Sequence, residues 1–384
     1  MRHWFPVLFI CNLCLWSMGN GLLPLMPVYV LERGASPAMA GAALACAYGA
    51  LAASNLLTGR IAGALRSRKR LLVVAGLLAA PPTALLGLAD QFWQITVLLA
   101  VVWFLAGLAA AMVHVLTGVY AEPGRRGRTF GLMMLAMPLG ALIGAPTLGF
   151  LAEQYGYVTM FGSLAALSIG WPLLALMELP QDRSVPTTAA ATPEGQEGPH
   201  TGVVAPIVLS VTLLAAITTF VGRLATSLAM RDLNFDIAAI GGAMAVGALA
   251  ALPLAPLIGI LSDRIGRRTL LAAAYLSGGL GTLTLAFAQA LGHFWLASAL
   301  LSIAVTTSSA LTSALAADLL PAHVLPRMLP RITAMGWVAA VIGFAGGGLL
   351  IERLGLFSVA CGALALAVTA AGLLYRLPGP AGHR

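Results

Sequence analysis

His114 and Arg223 are the two residues able to do chemistry from inside a long apolar run of this chain. Histidine is the side chain that titrates nearest working pH, so His114 could take up and release a proton during a cycle; a packed, hydrogen-bonded ring is the plainer alternative. Arg223 is a fixed cation. A charge at the centre of a bilayer-spanning helix costs about 2.5–3.5 kcal/mol, so it must face protein or a wet cavity, or snorkel toward Arg231, roughly 12 Å along the helix. Facing a cavity, it would favour ligands with a negative or strongly polar group. None of the thirteen acidic residues falls near the middle of an apolar run. Glu32, Glu153, Asp232 and Glu352 sit at one set of ends, and Glu122 and Asp318 at the other, so the usual carboxylate engine of proton exchange is missing.

Enzyme chemistry finds little support. Cys11 and Cys14 form a C-x-x-C, but within the first apolar run, where small packing residues are the expected reading. The clusters "GGLG" and "AGGGLL" also lie in apolar runs, and not between a strand and a helix, so no nucleotide loop is implied. With no metal-ligand cluster and no nucleophile–base pair, we expect no metal, no cofactor and no enzyme.

The remaining polar residues form stripes. Asn12, Trp16 and Asn20 recur at four-residue spacing. Tyr48 and Asn55, then Thr306, Ser309 and Ser313, make similar rows. Such rows line a cavity or glue helices together. Met133, Met134 and Met137 offer a soft surface suited to varied apolar ligands, or plain packing. The expected substrate cavity is therefore Asn12, Trp16, Asn20, Tyr48, Asn55, His114, Met134, Met137, Arg223, Thr306, Ser309 and Trp337.

Positioning these residues falls to helices in a membrane. Sixty per cent of the 384 residues are apolar and nine per cent charged, whereas soluble domains run about a quarter charged. Twelve spans can be drawn, each long enough to cross a core of about 30 Å: 5–31, 36–63, 70–89, 92–121, 128–152, 157–177, 204–230, 237–262, 269–289, 292–317, 331–351 and 356–376. The start "MRHWFPVLFICNLCLWSMGNG" lacks a clear cleavage site and reads as the first span. The net charge of +8 is scattered in short arginine clusters, which argues against nucleic acid.

With both termini inside, seventeen basic residues face the cytoplasm: Arg2, Arg60, Arg66, Arg68, Lys69, Arg70, Arg125, Arg126, Arg128, Arg183, Arg264, Arg267, Arg268, Arg327, Arg331, Arg376 and Arg384. Only Arg33, Arg231 and Arg353 face outward, which sets the orientation. The segment "LPQDRSVPTTAAATPEGQEGPHTG" reads as a solvated linker. The expected fold is an all-α membrane protein of two pseudo-symmetric six-helix halves: 1–177, a cytoplasmic linker 178–203, and 204–384.

The halves look like copies. Gly59 aligns with Gly259 and Gly41 with Gly241; "QFW" at 91–93 pairs with "HFW" at 293–295. "GFLAEQYG" at 149–156 pairs with "GLLIERLG" at 348–355, keeping the glutamate and the closing glycine. Two parallel repeats are a transporter architecture, with the binding site expected near midplane between them.

"GILSDRIGRR" at 259–268 names a family. It resembles the signature loop of the major facilitator superfamily, G-x-L-(A/S)-D-R-x-G-R-(R/K), at every fixed position, and it lies between the second and third helices of a half. "LLPLMPVYVLERGASPAMAG" is similar to the first helix of the drug-efflux branch. The resemblance implies a cytoplasmic gate at Gly259, Asp263, Arg264, Gly266, Arg267 and Arg268. There, Asp263 accepts hydrogen bonds from arginines or a helix N-terminus, probing toward "RRGRTFG" at the start of the fifth span. The first-half copy, "GRIAGALRSR" at 59–68, has Gly63 in place of the acid. In the fifth span "GALIGAPTLG" resembles the efflux motif G-x3-G-P-x2-G-G through Gly140, Gly144 and Gly149, with Pro146 one place late; tight helix packing is the alternative. The family's fourth-helix R-x-x-Q-G is replaced by "WFLAG", with Trp103 and Ala106 at the polar positions, which weakens the implied proton coupling.

The expected function is a monomeric, multi-pass inner-membrane transporter. It would export small amphipathic molecules or drugs by alternating access, with protons as a candidate coupling ion. A facilitator or symporter importing a polar metabolite is the alternative, and a non-transporting membrane sensor the second. The substrate is not written in the sequence.

Overall fold

The computed structural model describes residues 3–65, 67–122, 126–180, 199–321 and 324–377. Among the described residues the secondary structure is helical: α1 (Trp4–Glu32), α2 (Pro37–Leu65), α3 (Arg68–Leu86), α4 (Phe92–Tyr120), α5 (Arg126–Met134), α6 (Ala136–Glu178), α7 (Pro199–Asp232), α8 (Ile237–Ala251), α9 (Leu254–Ile265), α10 (Arg267–Leu285), α11 (Leu291–Leu319) and α12 (Leu325–Leu374). Eight helical stretches are long and apolar enough to cross a membrane. Two of them, Arg128–Glu178 and Met328–Leu374, hold 51 and 47 residues, more than twice the roughly 20 that one crossing needs.

Each doubled stretch is broken in the same way. Gly156 (φ 78°, ψ 166°) interrupts α6 and Gly355 (φ 77°, ψ 163°) interrupts α12. That region of φ is open to glycine and strained for residues with a Cβ. Counting both stretches twice gives ten crossings; α8 with α9, and α10, make twelve. The span drawn at 237–262 is divided where Pro253 closes α8 and caps α9; Pro138, in the first turn of α6, follows a similar break after α5.

The chain forms two compact units, and they do not coincide with the two sequence repeats. The first comprises Met1–Ala35, Cys46–Ala189 and Phe235–Ala245. Its core is built by α1 packing on α6 and by α3 packing on α4 and α6, around Leu8, Cys11, Leu72, Ala109, Val113, Leu116, Trp171 and Leu179. At the seam of α1 and α6, a Cβ on Gly144 would collide with the Ser17 carbonyl, and one on Gly140 would stand 2.7 Å from Trp16 Cβ. Glycine lets these two backbones touch.

The second unit comprises Ser36–Ala45, Ala190–Asn234 and Val246–Arg384. Here α12 packs on α7, and α10 on α11 and α12, around Val208, Val211, Leu271, Tyr275, Leu311, Leu315, Ala370 and Leu374. Gly343 meets Phe220 Cβ at 3.0 Å and Ile217 O at 3.1 Å from a built Cβ, a looser version of the Gly144 seam. Large apolar side chains such as Leu56, Leu88, Trp93, Met177, Phe287 and Leu354 remain exposed on the helices, as a lipid-facing surface requires.

Candidate functional site

The basic loops are anchored within their own units. In the first, buried Lys69, at the start of α3, donates its ammonium to Leu179 O just past the end of α6. In the second, Arg268, at the start of α10, donates to Leu377 O at 2.9 Å, just past α12. Both place a cation against the carbonyl end of a helix, where the backbone dipole favours positive charge. Arg267 adds an ion pair with Asp318 and donates to Ala314 O at 3.0 Å, fastening α10 to α11. Gly266 has φ 93° and turns the chain between α9 and α10, as the signature loop implies. Asp263 and Arg264 are exposed, and Asp263 has no hydrogen-bond or ion-pair partner among the described residues. Gly259 lies within α9, and the stretch 123–125 at the start of the fifth span lies outside the described residues.

The polar stripe of α1 divides. Asn12 is buried and donates from Nδ2 to Met133 O at 3.0 Å. Asn20 is buried and donates to Met137 O at 3.2 Å. Both amides donate where α5 breaks into α6, to carbonyls at the junction, which is the gluing role that the four-residue spacing left open, while Asn12 Oδ1 is buried without a hydrogen-bond partner among the described residues. Trp16, between them, is half-buried, and its Cβ packs on Gly140.

Other expected cavity residues in the first unit are half-buried Tyr48, His114 and Met137 and exposed Asn55 and Met134. His114 is hydrogen-bonded through Nδ1 to Ala110 O at 2.7 Å. Asn55 turns back to Leu51 O at 3.1 Å. In the second unit Arg223, Thr306 and Trp337 are half-buried, and exposed Ser309 donates to Thr306 O at 3.0 Å. Gly149, the third glycine of the fifth-span motif, packs its Cα side on α8: a Cβ there would lie 2.9 Å from Ile237 O.

The acidic turns at the opposite ends of the helices carry polar contacts that the sequence pattern left unassigned. Arg33 pairs with Asp90 at 3.3 Å and lies 4.4 Å from the Tyr29 ring centroid, while Tyr29 donates to Leu86 O and Ala89 O at the end of α3. In the second unit the Ala38 N–H, in the first turn of α2, donates to Glu352 at 2.9 Å. In the first unit the Ala238 N–H, in the first turn of α8, donates to Glu153, also at 2.9 Å. Glu352 is solvent-exposed in the turn between two spans, and the Ser36 side chain and Ala38 amide hold its carboxyl below the usual carboxylate range. Among the described residues no group of three or more His, Cys, Asp and Glu is placed to hold a metal ion.

The family profile described as Major Facilitator Superfamily matches residues 8–230 and again 207–384. The chain belongs to the major facilitator superfamily. As a member it is a secondary transporter and a multi-pass membrane protein, not an enzyme, with a small-molecule substrate and the lipid bilayer as its partners. Within the superfamily it resembles drug-efflux proteins. It is 27% identical over 308 residues to the Multidrug resistance protein MdtG of Serratia proteamaculans (strain 568), covering 75% of this chain and 73% of that one. It is 28% identical over 284 residues to MdtG of Citrobacter koseri (strain ATCC BAA-895 / CDC 4225-83 / SGSC4696), covering 70% and 68%. Among solved structures, a mutant of the peptide transporter POT in complex with alafosfalin superposes with a TM-score of 0.78 at 14% identity, over 97% of this chain and 94% of that one. A POT family transporter in complex with 5-aminolevulinic acid gives 0.75 at 13%, over 97% and 95%. At such identities the structural likeness speaks for the superfamily fold alone.

Proposed function

We propose that this transporter exports small amphipathic molecules from the cytoplasm by alternating access of two six-helix halves, 1–177 and 204–384, joined by a cytoplasmic linker at 178–203. The observation that carries the direction is the resemblance to MdtG over about three-quarters of the chain. On this reading the protein sits in the inner membrane as a monomer. Both termini and the basic loops around Lys69 and Arg268 are cytoplasmic, in line with the seventeen-to-three bias of basic residues. The half-buried Trp16, Tyr48, His114, Met137, Arg223, Thr306 and Trp337 contribute to the substrate path, and Asp263 to a cytoplasmic latch.

Proton coupling, if it drives export, has one group suited to it inside the spans. With its Nδ1 proton given to Ala110 O, His114 keeps the Nε2 lone pair for a second proton. Arg223 favours a second reading. A half-buried cation in a span, with no acidic residue near mid-span, suits an importer of organic anions.

Cells expressing the protein, loaded with a lipophilic cationic dye, separate these readings. Export predicts dye loss faster than from cells lacking the protein, and proton coupling predicts that an uncoupler abolishes the difference. Loss that persists with the uncoupler removes antiport. Absence of dye loss together with uptake of organic anions that Arg223→Ala abolishes replaces export with import.

A further inference from the structure

The two glutamate caps at the acidic turns are one device in two copies. Glu153 and Glu352 stand 199 positions apart (352 − 153), and the amides they accept from, Ala38 and Ala238, stand 200 apart (238 − 38). Each carboxylate lies three residues before the left-handed glycine that breaks its helix, Gly156 or Gly355. Each amide belongs to the second residue of its helix, one of the four N–H groups that a helix start leaves without an internal acceptor. The pairing is crossed between the repeats. Glu153 of the first repeat caps α8 of the second, and Glu352 of the second caps α2 of the first.

The backbones meet beside both caps. Next to Glu352, a Cβ on Gly41 would collide with Phe344 O, and one on Gly348 would stand 2.5 Å from Pro37 O. Next to Glu153, a Cβ on Gly241 would collide with Ala145 O, and one on Gly149 would stand 2.9 Å from Ile237 O. Four glycines at matched positions thus let two helix starts lie against two helices of the opposite repeat, and a carboxylate locks each seam at its end. A local helix cap needs none of these matched contacts, since Ser36 already caps α2 within its own chain segment, accepting from Met39 N–H at 3.3 Å.

We infer that Glu153 and Glu352 are positioning residues of the transport cycle. Together they form a two-part clasp that holds the acidic-turn ends of the two repeats closed, and both caps must open for that end to admit or release substrate. The inference deepens the alternating-access reading by naming what keeps one end shut. It does not depend on the direction of transport or on the substrate.

Hydrogen exchange on the purified full-length protein in lipid nanodiscs, with no ligand, tests it. In Glu153→Ala, peptides covering 237–245 lose their cap and exchange faster, by about 3- to 30-fold for a lost cap. The clasp predicts that peptides covering 37–45, capped by the untouched Glu352, also speed up, and that Glu352→Ala does the reciprocal. Peptides from α3 and α10 stay unchanged, which separates opening from unfolding. Glu153→Gln and Glu352→Gln keep an acceptor oxygen without the charge, and give smaller shifts in the same two places if the Ala variants do not fold. Faster exchange confined to the helix each glutamate caps, or no change at either, overturns the clasp while leaving the transporter reading intact.

Discussion

Lys69 and Arg268 hold equivalent places in the two repeats and do equivalent work, yet the loops before them differ by an acid. Each cation caps the helix that ends its half, at Leu179 or Leu377. The second loop keeps Asp263 and the first has Gly63. Since the first repeat folds its loop onto α6 without an aspartate, the acid is not needed for anchoring. Asp263 itself is exposed and makes no hydrogen bond or ion pair among the described residues. Lys69 and Arg268 are therefore structural in both repeats, and the acid is not part of that anchoring. The seams differ as well: Gly144 touches a backbone carbonyl where Gly343 keeps a looser contact.

The largest expected effect probes the seams. Gly144→Ala drives a Cβ into the Ser17 carbonyl and should lower stability by about 2–3 kcal/mol, whereas Gly343→Ala should cost about 1 kcal/mol or less. Thermal unfolding in detergent compares them, and equal losses would erase the distinction between the repeats. Next come the helix-end cations. Lys69→Met leaves a carbonyl in a buried setting without its donor, at about 1–3 kcal/mol. Arg268→Met, at a half-buried site, should cost about 1 kcal/mol, since water can replace the donor there. If Arg268→Met proves the costlier, exposure is not what sets the strength of the cap. The smallest effect on stability belongs to Asp263→Asn, within about 0.5 kcal/mol as for an exposed site. Its transport should nonetheless fall while folding and expression hold. Unimpaired dye export by Asp263→Asn would deny the acid any part in the cycle.

Much of the architecture was legible because a bilayer imposes long, simple rules. Apolar length fixed the spans, the glycines ending "GFLAEQYG" and "GLLIERLG" marked the breaks at Gly156 and Gly355, and the offset between repeats was visible in paired motifs. The signature loop named the superfamily from ten residues. The polar contacts were much less legible. Asn12 and Asn20 share a helical stripe with Trp16, but spacing cannot tell an amide facing a cavity from one donating to Met133 O or Met137 O. Glu153 and Glu352 were recognisable as a conserved pair within the chain, though their acceptor role was not, because a backbone N–H leaves no trace in residue type. The same holds for Lys69, whose partner is a carbonyl 110 positions away.

Sequence by itself determined that this chain lives in a membrane, crosses it twelve times and repeats itself, since hydrophobic length and motif spacing are properties of order along the chain. Tertiary structure alone decided which helix starts are held by which repeat and where each buried amide, ammonium and carboxylate finds its partner. Those choices are made through backbone N–H and C=O groups, which every residue shares, so only their positions in space distinguish one from another.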